Sequence, residues 1–126
     1  MELLKSGEDT LLGEVRSYDE LVAAVGDSSI SEINIMDDIY IMSQITISRN
    51  VNIFGHSHTI SGYDGKFFMI NGNVKLANIV FCNSSKAVVD CINNRNVDIE
   101  NCFFYNTGGI HIGTSRNVGG IYNIKN

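Results

Sequence analysis

From Ile30 onward, apolar and polar residues alternate in short bursts: Ile33-Asn34-Ile35, Ile39-Tyr40-Ile41 and Ile45-Thr46-Ile47. A period of two predicts half-buried β-strands. Later bursts are just as short, with Phe67-Phe68-Met69-Ile70, Val74 to Leu76 and Ile79 to Phe81 set apart by Asn, Gly and Ser. They recur. Asn50-Val51-Asn52-Ile53, Asn73-Val74-Lys75-Leu76 and Asn96-Val97-Asp98-Ile99 are spaced by 23 residues, and Arg116-Asn117-Val118 follows 21 after the third. Asn78-Ile79-Val80-Phe81-Cys82-Asn83-Ser84 also aligns without a gap on Asn101-Cys102-Phe103-Phe104-Tyr105-Asn106-Thr107. Strands this short cannot bury an apolar face alone, but stacked on the matching strand of the next repeat they enclose a continuous core. The pattern predicts an all-β right-handed parallel β-helix, a solenoid of about four to five coils. A leucine-rich repeat of similar period does not fit, because the leucine frame and a helix within each repeat are missing.

One helix is predicted ahead of the repeats, over residues 18–25. Ser17 and Glu20 have capping-box spacing, Asp19 and Glu20 suit the positive end of the dipole, and Gly26 offers a left-handed stop. Leu21, Val22 and Val25 form a narrow apolar stripe, as expected of a helix covering the open first coil. The chain reads as a single β-helix domain over residues 1–126, with residues 1–27 as N-terminal cap and 28–126 as coils.

Composition sharpens this picture. The 17 Ile and 15 Asn all lie after residue 29, which suits many pleated strands joined at Asn corners. Net charge is −5, divided into −8 over residues 1–38 and +3 over residues 39–126. A net negative chain argues against nucleic acid as partner. No apolar run approaches the ~20 residues needed to cross a bilayer, and Glu2, Glu8 and Asp9 stand where an export signal needs a basic start and an apolar centre.

The run from Ser17 through Glu20-Leu21, then Ile45 to Gly55 and Thr59-Ile60-Ser61-Gly62, resembles the first coils of the pectate-lyase-like right-handed β-helix superfamily. The later Asn-Val-x-Ile/Leu-x-Asn blocks resemble parallel β-helix repeats of adhesin-like proteins. The resemblance spans about residues 15–118. It implies the fold; lyases, hydrolases, adhesins and inert scaffolds share that frame.

The superfamily's lyases hold Ca²⁺ with clustered acids, and after residue 38 this chain has only Asp64, Asp90, Asp98 and Glu100, which do not recur at one repeat position. Asp90 and Asp98, flanking Arg95, read as a solvated turn pair. The hydrolases pair aspartates on neighbouring coils, whereas Asp37 and Asp38 are adjacent and point to opposite faces of a strand. No catalytic residue, metal site or cofactor is expected. His56 and His58 would share one side of an extended strand but lack a third ligand, so they read as a polar surface loop. Cys82, Cys91 and Cys102 are odd in number and lack CxxC spacing, and Cys102 falls on the inward position of Ile79.

The remaining polar signal is basic. Arg49, Arg95 and Arg116 each precede an Asn-Val pair, with Gly72 in the place of the second repeat, and Lys66 and Lys86 mark a second near-equivalent position. A stripe of like charge in register predicts an anionic ligand such as an acidic polysaccharide. The expected function is a non-catalytic structural or adhesion-type module, the alternative a small carbohydrate-active lyase or hydrolase-like protein. The chain closes on Ile121-Tyr122-Asn123-Ile124-Lys125 without an amphipathic cap, which predicts self-association through the last coil.

Overall fold

A computed structural model describes residues 1–6, 10–92, 96–112 and 122–125. Strands β1 (Glu2–Ser6) and β2 (Thr10–Val15) form an antiparallel hairpin, and helix α1 (Tyr18–Gly26) follows. The chain then winds through triplets of strands. The first turn is β3 (Ile30–Ile35), β4 (Ile39–Ile41) and β5 (Ile45–Ile47). The second is β6 (Val51–Phe54), β7 (Thr59–Gly62) and β8 (Phe68–Ile70). The third is β9 (Val74–Ala77), β10 (Val80–Cys82) and β11 (Val89–Cys91), and the fourth β12 (Val97–Glu100), β13 (Phe103–Tyr105) and β14 (Ile110–Ile112). Strand β15 (Tyr122–Lys125) begins a fifth. Corresponding strands stack in parallel as three sheets, ordered β1-β2-β3-β6-β9-β12-β15, β4-β7-β10-β13 and β5-β8-β11-β14. The result is a β-solenoid of about five turns.

An apolar column runs through the first sheet. Ile53 pairs with Leu76 and Leu76 with Ile99, all three at most 2% exposed, and Ile33 extends the column toward the N-terminus. The middle sheet stacks Ile39, Ile60, Phe81 and Phe104, with the last two rings parallel and 5.1 Å apart. Neighbouring coils must approach closely for these columns to form. At Gly62 a β-carbon would fall on the backbone of Ile41, so the absent side chain sets the coil spacing there.

Four differences from the sequence reading have physical causes. The N-terminal segment adds strands as well as a helix, because β2 pairs in parallel with β3. The stripe of α1 buries Leu21, Ala24 and Val25, and Val22 is 41% exposed, since 100° per residue turns position 22 away once 21 and 25 face inward. The helix ends at Asp27, with φ −98°, rather than at a left-handed glycine, because its last carbonyls find another donor, described below. At the C-terminal end, Val97 faces Tyr122, 25 residues on, so β15 stacks on β12 at a longer interval than the 23-residue period. Arg116 itself lies outside the described residues.

Asparagine serves three separate corners. Asn78, Asn83, Asn101 and Asn106 have φ between 51° and 65°, the left-handed region that Asn tolerates best among residues with a β-carbon. Asn78 and Asn101 thus form a pair of left-handed turns rather than a side-chain ladder. A ladder of side chains runs instead through the preceding corner, where Asn50 Oδ1 accepts from Asn73 N at 3.1 Å and Asn73 Oδ1 from Asn96 N at 2.9 Å.

Candidate functional site

Of the basic residues expected to form a stripe, Arg49 and Lys66 each bond a partner within the chain. Arg49 turns toward α1, donating from Nε to Val25 O and from Nη2 to Ala24 O, each at 2.8 Å. Its register with Gly72 holds, because a β-carbon on Gly72 would strike the Arg49 backbone. Lys66 donates from Nζ to Asp90 Oδ2 at 2.6 Å. Lys86 is exposed, and Arg95 lies outside the described residues.

Asp90 departs most from its sequence reading. It occupies the centre of β11 and faces outward, yet it is only 3% exposed, because Lys66 covers it from the coil before and His111 from the coil after. Burial alone would raise its carboxyl pKa. The bonds and charges of Lys66 and His111 outweigh burial and leave it below the ordinary carboxylate value. An ionised carboxylate only accepts, so His111 Nδ1, 2.7 Å away, carries the proton and Nε2 is left to face other partners. Three consecutive coils are clasped by this one carboxylate. Sequence reading missed it because the period of 23 hides it: Asp90 stands opposite Met69 and His111, so chemically unlike residues share one column.

The histidine loop is polar and split. Positive φ at His56 and Ser57 replaces the extended strand by a turn, and the rings find different partners. His56 Nε2 meets Asn34 Oδ1 at 2.7 Å and His58 Nδ1 meets Asp38 Oδ1 at 3.3 Å. Among the described residues no group of three or more His, Cys, Asp or Glu is placed to hold a metal ion.

Open polar chemistry also lies on the middle sheet and the corner that follows it. A groove of about 430 Å³ is lined by Gly62, Asp64, Asn83, Ser84, Ser85 and Asn106. Asp64 anchors it, accepting from Ser85 N at 2.5 Å and Ser85 Oγ at 2.9 Å. Those two bonds hold its carboxyl below the usual range, and the nearby Lys86 charge adds to the effect. The Asn83 and Asn106 amides meet at 3.5 Å across the coils. Beside this groove the outer face of the sheet carries Tyr40, Phe103 and Tyr105, exposed by 58%, 57% and 70%.

No curated protein matches the chain. Among solved structures, L. reuteri 53608 SRRP superposes with a TM-score of 0.70 at 24% identity, over 90% of this chain and 41% of that one. The chain therefore spans less than half the length of that structure, and the likeness is one of fold. The pectate lyase-like adhesive domain family matches residues 13–125, which is nearly the whole solenoid described above, and the chain belongs to that family.

Proposed function

We propose that this domain is a non-cleaving adhesion module that holds an acidic glycan against its lateral surface. The observation carrying this reading is the open groove at the Asp64 corner, where the exposed Asn83, Ser85 and Asn106 line a polar opening and the exposed Lys86 supplies a cation for a carboxylate. The adhesive description of the family supports it. Binding to immobilised polygalacturonate, measured by biolayer interferometry, should weaken as salt rises and weaken further in Lys86→Ala. Absence of binding to any acidic glycan at low salt removes the proposal.

A second reading draws on the Asp90–His111 pair, which resembles the carboxylate-oriented imidazole of a general base. It assigns cleavage of a uronate chain to Nε2 of His111. Release of unsaturated uronate, followed by ultraviolet absorbance and abolished in His111→Ala, would establish it in place of the first.

A further inference from the structure

Aromatic side chains normally bury their large apolar area, and this chain does so on the inner side of the middle sheet. The outer side breaks the rule. Strand register places its outward residues in two columns, Thr59-Val80-Phe103 and Tyr40-Ser61-Cys82-Tyr105. In the second column two strongly exposed tyrosines stand at the ends, and the small Ser61 and Cys82 lie between them. At ~4.8 Å per coil the tyrosines are about 14 Å apart, bounding a shallow apolar saddle. Phe103 flanks it on the neighbouring column. The polar groove begins one residue beyond, where Asn83 follows Cys82 and Asn106 follows Tyr105.

We infer that this saddle is a stacking platform for a chain of hexopyranose units, with Tyr105 and Phe103 meeting the C–H faces of the rings and Asp64, Ser85 and Asn83 meeting their hydroxyls. The inference rests on the glycan reading above and fixes where the glycan lies. A pyranose combines an apolar ring face with hydroxyls around its rim, and the molecule offers the matching pair, aromatic rings beside a groove of acceptors and amides. Asp38, bound to Thr59 N at 2.9 Å, and Asp64 stand on opposite flanks of the face, where their carboxylates accept from sugar hydroxyls. The grip through ring faces is independent of ionic strength, so it separates from the contribution of Lys86.

Titration of the full chain with oligogalacturonides and with neutral hexopyranose oligosaccharides, by isothermal calorimetry at low and high salt, tests the platform. Tyr105→Ala and Phe103→Ala should each reduce affinity about tenfold with the salt slope unchanged, while Lys86→Ala flattens the slope. Both aromatic positions are exposed, so unchanged far-UV circular dichroism is the expected control. If the wild type binds and both variants bind equally well, the platform is wrong and the glycan reading stands. If the wild type binds no saccharide, both fall. A dimer by light scattering that Tyr105→Ala dissolves, without saccharide binding, would reassign the face to a second copy of the chain and overturn the inference.

Discussion

Arg49 and Val25 are joined by a hydrogen bond of 2.8 Å from guanidinium Nε to the carbonyl near the end of α1, and Nη2 reaches Ala24 O at the same distance. The helix has no basic residue in its own last turn. A cation from the end of the first turn therefore satisfies carbonyls that an isolated helix leaves bare, and meets the negative end of the dipole. The bond ties the cap to the coil it covers. One residue thus links local helix chemistry to closure of the solenoid.

Replacing Arg49 by Ala should lower stability by about 2 kcal/mol, the usual scale for charge-assisted bonds at a helix end. Arg49→Lys should recover less than half, since one ammonium does not reproduce the two-pronged geometry. Urea unfolding followed by circular dichroism reads both values. An unchanged midpoint in Arg49→Ala would mean that the contact holds nothing.

Asp90 sets a direction for acid sensitivity. Its folded-state pKa is depressed, so its contribution is fully present above the ordinary value of 3.8 and is lost as pH falls through the folded value. Lys66→Ala removes one of the two partners that hold the carboxyl down, which should move the acid unfolding midpoint upward. Asp90→Asn should be less stable at neutral pH by about 2 kcal/mol and show a shallower acid limb. Unfolding curves from neutral pH to about pH 2 compare the three proteins. Superimposable acid limbs would remove the clasp from the account of stability.

The solenoid was legible because its inward columns demand the same chemistry on every coil. Val51, Val74 and Val97 repeat at 23 residues and pair at that spacing in the structure. Outward positions answer to no such demand. Thr46, Met69, Asp90 and His111 share one column, and only the folded chain shows that the last two meet. Arg49 misled for a related reason: its register was right, but an outward side chain at a corner chooses among neighbours that the repeat does not encode, here the carbonyls of a helix 24 residues earlier. At the last coil the short run Tyr122-Asn123-Ile124-Lys125 is the one that pairs with Val97–Glu100, at 25 residues rather than 23.

The asparagine ladder should contribute through its acceptors. Asn73→Ala deletes the Oδ1 that receives Asn96 N, and should cost about 1 kcal/mol. Asn73→Asp keeps an acceptor there and should cost less. Asn52, exposed two residues beyond Asn50, is the control, with an expected effect within about 0.5 kcal/mol on substitution by Ala. Equal effects at positions 52 and 73 would show that the ladder is incidental to stability.

The three thiols should divide by environment. Cys91 is 1% exposed, and burial, assisted by the Asp90 charge, pushes its pKa up to about 12. Cys102 is 4% exposed and its pKa is raised, again chiefly by burial. Thiolate is the reactive species, so both should resist a disulfide reagent in the folded protein. Cys82 is half-buried on the outer face, in the column that ends at Tyr105. One equivalent should therefore react promptly at about pH 8 and three in guanidinium, with Cys82→Ser abolishing the prompt phase. Prompt labelling of Cys91 or Cys102, located by peptide mass mapping, would show that the core opens between the third and fourth turns far more readily than its packing allows.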